Sequence, residues 1–233
     1  MANKKFELQI VPVTKSDYEK PQKDNLLVAE EKYQKIDNAC ENNVVLANTG
    51  VVYVEDKGFQ KLFGTNDPDD ADYIFENQIP EKDKKTFGNQ EYAHSSAVVG
   101  LLDKKAQEVR DAEKQALLRY GRNSIININD SPVAEKSRRQ FDSFANKEIK
   151  KLRGQRGGEY DEITGDPLEP NHEFHHNNKK AIHTDPEDLI DPDGGKNVNR
   201  ETHKEIHRQK IVDEKQLEAK REDIIKKVKT NKG

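Results

Sequence analysis

The sequence contains no tryptophan, one cysteine (Cys40) and one methionine, and only 6% of its 233 residues are aromatic. One thiol excludes an internal disulfide framework and every paired-cysteine zinc motif. Long apolar runs are missing too. No stretch approaches the roughly 20 residues that a membrane helix needs. The N-terminal MANKKFELQIV also lacks the apolar core of a signal peptide. Hydrophobic residues make up 32% of the chain against 36% charged, and the mean hydropathy is -1.09. Such a composition supports a modest core with some extended segments, and the expectation is a soluble, cytoplasmic protein.

The formal net charge of -4 conceals a strong segregation. Residues 132–156 sum to about +5, residues 157–199 to about -8, and residues 200–233 to about +4. Basic flanks around an acidic centre suit a site that holds a cation and touches a polyanion. A solvated basic helix face is the plainer reading of either flank taken alone.

The first 130 residues read as a mixed α/β domain. KKFELQIVPV alternates like a strand, and Leu26, Ala29, Tyr33, Ile36 and Cys40 recur at helical spacing behind a candidate Asp24 cap. NVVLANTGVVYVED has the pattern of a β-hairpin about an Asn-Thr-Gly turn. From Ser96 to Tyr120 the spacing of Val98, Leu102, Ala106, Val109, Ala112 and Ala116 predicts one helix, capped by Gly121. Ser131-Pro132 then opens a basic helix over 131–156, with Phe141, Phe144, Ile149 and Leu152 as its buried stripe. GQRGGEY ends that helix and leads into a third segment, residues 157–233.

The histidines are concentrated in this last segment. Of seven in the chain, four fall in HEFHHNNKKAIH (172–183) and two in THKEIHR, at His203 and His207. EFHH reads as a short strand, KNVN after DPDGG as a second, and RETHKEIHRQKI as the start of a long helix. On that helix His203 and His207 stand at i and i+4, on one face and roughly 5–6 Å apart, which suits two ligands of one divalent ion. In the strand His175 and His176 point to opposite faces. One can bind an ion while the other, with a pKa near neutrality, acts as a base.

EFHH, a loop, and HKEIHR together resemble the HNH, or His-Me finger, family of nucleases, and within it the colicin-type DNases. The resemblance covers roughly Tyr160 to Lys210, under a quarter of the chain. It implies an α+β protein, with the mixed α/β domain followed by a ββα-metal module. It also implies hydrolysis of DNA phosphodiester bonds with one divalent ion (Mg, Mn, Zn or Ni). By the match His175, His203 and His207 are metal ligands, His176 is the general base, and Glu173 orients an arginine. Arg208 is placed to meet a phosphate, and Lys150, Lys151, Arg153 and Arg156 of the basic helix hold the DNA backbone.

The chain departs from the family pattern in two places. Gly194 stands where the family has its central Asn, so Asn197 or Asn199 must supply the amide, with Asn199 preferred, although it could also cap the helix. Tyr160 and Ile163 stand where many relatives have the first pair of zinc-binding cysteines, so apolar packing must replace that knuckle. His172, His183 and His94 fit no motif position. Lys179 and Lys180 read as an exposed pair, and Asp191 and Asp193 as parts of a turn. Two other functions fit the pattern: a non-catalytic nucleic-acid-binding protein with a structural histidine metal site, and a nuclease toxin. The C-terminal helix, carrying Ile211, Leu217, Ile224 and Val228, offers a surface for a second copy or a protein partner.

Overall fold

A computed structural model describes residues 6–25, 27–178 and 186–231. The fold is mixed α+β and divides into two compact units, Met1–Phe141 and Asp142–Gly233. The division falls inside one helix, so the basic helix expected as a link between domains contributes to both units.

Unit 1 is built on an antiparallel sheet. Strands β1 (Ile10–Pro12), β2 (Val44–Ala47), β3 (Val52–Glu55), β4 (Lys84–Phe87) and β5 (Gln90–His94) lie in the order β1-β2-β3-β5-β4. The expected hairpin is β2–β3. Its turn closes through Ala47 N–H to Val51 O at 2.8 Å, and Gly50 takes the positive φ of +84° that the turn requires. Helix α1 (Glu30–Asn43) begins at an Ala29 cap position rather than at Asp24, while Leu26 lies outside the described residues. Helices α2 (Phe59–Leu62) and α3 (Pro68–Gln78) follow β3, and Asp67 caps α3 by accepting from Asp69 N–H.

The single helix expected over 96–120 is two: α4 (Ser95–Glu108) and α5 (Ala112–Asn129). Val109 is extended, and Asp111 opens α5 by accepting from Lys114 N–H at 2.7 Å. Gly121 is not a terminus. It lies within α5, buried beside Leu62 and Ile36. Tyr33, Phe59, Leu62, Leu102, Leu118 and Ile125 are among the fully buried residues of this core, with Ile36 nearly so.

Helix α6 (Pro132–Arg156) starts as the sequence indicates, with the Ser131 hydroxyl accepting from Ala134 N–H. Phe141 and Leu152 are buried, whereas Phe144 and Ile149 are half-buried. In unit 2, β6 (Glu173–His176) and β7 (Gly195–Val198) form a two-stranded antiparallel ribbon followed by α7 (Arg200–Arg208). The long C-terminal helix is interrupted. After α7, Lys210 adopts a positive φ of 55°, and the chain continues as α8 (Glu214–Ala219) and α9 (Arg221–Asn231). These turns fold Ile211, Leu217, Ile224 and Val228 onto Ile163, Val198 and Ile206. The residues expected to offer a partner surface are therefore this unit's own core. No helix among the described residues is long and apolar enough to cross a membrane.

Candidate metal centre

The register of the ribbon decides which histidine faces which way. Glu173 pairs with Val198, Phe174 with Asn197, His175 with Lys196, and His176 with Gly195. Val198 is in the core beside Ile206 of α7, so Glu173 and His175, on the same face, look toward α7. Phe174 and His176 take the other face, where their rings meet edge to face at 5.1 Å. The ribbon closes here only because residue 195 is glycine. A Cβ there would lie 2.4 Å from Phe174 Cζ and 2.5 Å from His175 O.

Helix α7 is set against the ribbon by polar contacts. The buried Asp161 accepts from Ile163 N–H and Thr164 N–H (2.9 Å each) with one oxygen. With the other it accepts from Asn199 N–H (2.8 Å) and the Thr202 hydroxyl (2.7 Å). Asp161 thus both forms its own turn and ties down the start of α7 through one backbone N–H and one hydroxyl. Asn199 makes no side-chain cap. Its amide instead accepts from Glu169 N–H and donates to Pro167 O, holding the loop before the ribbon. Asn197 donates to Arg153 O and Gly157 O, both at 2.8 Å, closing the C-terminal end of α6. The two candidate asparagines are both buried and both engaged with backbone.

His203 and His207 lie one turn apart on α7 and converge with His175, with ligand nitrogens all within 4.8 Å of one another. His203 Nδ1–H donates to the Glu173 carboxylate, which places the lone pair of its neutral ring on Nε2. That nitrogen lies 3.1 Å from His207 Nε2. Two metal–nitrogen bonds of about 2.0–2.1 Å at a tetrahedral angle hold their nitrogens about 3.3–3.4 Å apart. The donor set and its spacing fit a divalent ion. Burial, reinforced by the neighbouring His203, His207, His176 and Lys196, pushes the His175 imidazole from 6.5 down to about 3. It is therefore neutral, the form that coordinates, at every ordinary pH.

His176 is fixed differently. Its Nε2 is 2.9 Å from the Leu189 carbonyl oxygen, which can only accept. Nε2 must carry the proton, and in the neutral ring the lone pair falls on Nδ1. The Arg200 guanidinium lies 4.0 Å from Glu173, so the arginine beside this carboxylate comes from the first turn of α7.

The remaining expected residues divide. Lys150 and Lys151 are exposed, Lys151 pairing with Glu148. Arg153 and Arg156 turn inward. Arg153 donates to His172 O at 2.7 Å, while Arg156 makes a two-bond pair with Glu162 (2.7 and 2.8 Å) and donates to Pro192 O. Both are structural ties, made because loop carbonyls and a half-buried carboxylate need donors. Arg208 pairs with the buried Glu205 at 2.5 Å. His172 bonds Glu169 O, and Asp191 accepts from Asp193 N–H within its turn. His94 caps α4, its Nδ1 accepting from Ser96 N–H. Lys179, Lys180 and His183 lie outside the described residues. The reading from sequence missed Asp161, although an Asp ahead of Ile-Thr-Gly-Asp carries the signature of a side-chain-closed turn. Comparison with protein-family models, curated proteins and solved structures finds no match for this chain.

Proposed function

We propose that unit 2 is a metal-dependent endonuclease of the HNH type that hydrolyses DNA phosphodiester bonds. One juxtaposition carries this: three converging imidazoles, one of them held by Glu173, with a fourth, His176, adjacent in sequence and fixed in the tautomer of a base. A purely structural metal site has no use for the fourth.

His175, His203 and His207 would hold the ion. When bound, the ion supplies Lewis acidity, polarising the phosphoryl oxygen and offsetting charge on the leaving 3′ oxygen. His176 Nδ1 takes a proton from water as that water attacks phosphorus in line. The Leu189 carbonyl keeps the other ring nitrogen protonated, so the base is always presented with its lone pair on Nδ1. Glu173 orients His203 and, through Arg200, sets a cation at the edge of the site. The products are a 5′-phosphate and a 3′-hydroxyl.

Supercoiled plasmid incubated with the protein and Mg²⁺, Mn²⁺, Ni²⁺ or Zn²⁺ tests this. Nicking is expected with at least one metal, and His176→Ala should lower its rate about 10²–10⁴-fold while leaving metal binding intact. No nicking with any metal, or equal nicking by the variant, would overturn the mechanism. The small core of unit 2 also favours a second reading, in which the ion mainly staples the fold. Loss of thermal stability on chelation without nicking would select it.

A further inference from the structure

Arg208 does not share the face of the histidines. At about 100° per residue it lies about 100° round α7 from His207 and about 140° from His203. It opens instead onto a cleft of about 620 Å³, lined by Glu205, Arg208, Gln209, Lys220, Asp223 and Lys227. The floor is Glu205, a carboxylate only 4% exposed, which accepts from Gln209 Nε2 (2.8 Å) and pairs with Arg208 (2.5 Å) and Lys227 (3.9 Å). Asp223 pairs with Lys227 at 2.6 Å and accepts from Gln209 Nε2 at 2.9 Å. Two carboxylates thus serve Arg208 and Lys227. The third cation, the exposed Lys220, reaches only the Gln209 carbonyl at 3.4 Å and has no carboxylate partner among the described residues.

The cleft therefore carries one uncompensated positive charge, which is the charge that one phosphodiester neutralises. Glu205 fixes the Arg208 guanidinium, so its remaining donors are already oriented rather than swinging in solvent. A helix is about 10–12 Å across, so a phosphate in this cleft stands roughly that far from one at the histidines. We infer that Arg208, Lys220 and Lys227 form a subsite for a non-scissile backbone phosphate of nucleic acid. The inference rests on the nuclease reading for its meaning but can be tested without it.

Binding of a fluorescein-labelled duplex of about 20 base pairs, with a cleavage-resistant phosphorothioate backbone that keeps its charge, would be followed on the full chain with Ni²⁺ present, across about 50–300 mM KCl. Lys220→Gln is the informative variant, because Lys220 is exposed and its loss leaves the Glu205 pairs intact. It should weaken binding several-fold at low salt and reduce the slope of log affinity against log salt by about 0.9, the value of one phosphate contact. Lys220→Arg should restore both, Lys82→Gln on unit 1 should change neither, and Ni²⁺ binding should be the same throughout. An unchanged slope in Lys220→Gln, or no duplex binding by the unaltered protein, would overturn the subsite. A reduced slope in a protein that nicks with no metal would uphold the subsite and defeat the nuclease mechanism.

Discussion

The two units of this chain solve the same problem with different materials. Unit 1 buries aromatics and aliphatics against a five-stranded sheet, and a second, separate cluster around Tyr53 and Tyr92 covers the sheet's other face. Its main buried charge, Asp37, needs only Tyr120 Oη–H at 2.9 Å and Lys20 at 2.5 Å. Among the described residues, unit 2 has one small cluster made of isoleucine, leucine and valine alone. Its order is set by side chains that bond backbone: Asp161, Glu162, Arg156, Asn197 and Asn199. Apolar burial is tolerant of direction, whereas hydrogen bonds fix position and angle. A unit that must hold imidazoles at ligand distance gains from the second kind of support, at the risk that a single lost acceptor undoes it.

Asp161→Ala should expose that risk most sharply. It leaves four donors in a buried setting without their acceptor, a loss of about 3–4 kcal/mol. Urea unfolding followed by circular dichroism should resolve two transitions, with that of unit 2 moved to lower denaturant and that of unit 1 in place. A shift below about 1 kcal/mol would mean that apolar packing, not Asp161, positions α7.

Gly195→Ala should have the next largest effect, because the added carbon collides with Phe174 and with the backbone of His175. Overpacking of this kind costs about 1–3 kcal/mol. Here the strain falls on the strand that carries His175, one of the three converging imidazoles, so calorimetric Ni²⁺ affinity should fall along with stability. Weaker folding with unaltered Ni²⁺ binding would show that the ribbon and the histidines are less coupled than the register implies.

What could be read from the sequence follows the same division. The ribbon and α7 were legible because histidine spacing and a DPDGG turn are local signals. The α4–α5 break was not, since Val98, Leu102, Ala106 and Ala116 keep helical spacing across it and only the cap at Asp111 marks the stop. The stop between α7 and α8 has a comparable mark. Asp213 accepts from Gln216 N–H, and the Gln216 side chain reaches back to Val212 N–H, close to a capping-box pattern. The inward bonds of Arg153 and Arg156 are not legible in the sequence, because a positive charge in a basic run reads as surface. Their acceptors, His172 O, Pro192 O and Glu162, are remote in sequence or hidden in a loop. Long-range polar ties leave no periodicity, so the scaffold of unit 2 was less legible than the site it supports.

Acid should sharpen the contrast between the units most gently. Glu162 is half-buried, which by itself raises its carboxyl, but hydrogen bonds from Arg156 and from Asn197 N–H outweigh burial and hold it below its ordinary value of 4.5. A carboxyl lower in the folded chain than in the unfolded one adds stability in full above the unfolded value. That stability is lost as pH falls through the folded one. The Glu162 contribution to the unfolding midpoint of unit 2 should therefore be flat near neutrality and decline below about pH 4, with the Arg156 pair released as Glu162 takes up its proton. It lies beneath an earlier decline that His175, held neutral in the folded chain, begins as pH falls below its ordinary 6.5. Glu162→Gln should lower the neutral midpoint and remove that part of the acid decline. An identical acid profile in the variant would show that some other carboxylate governs the loss. The tie from α6 through Glu162 to the backbone of β7 would then be a contact without consequence for the ribbon.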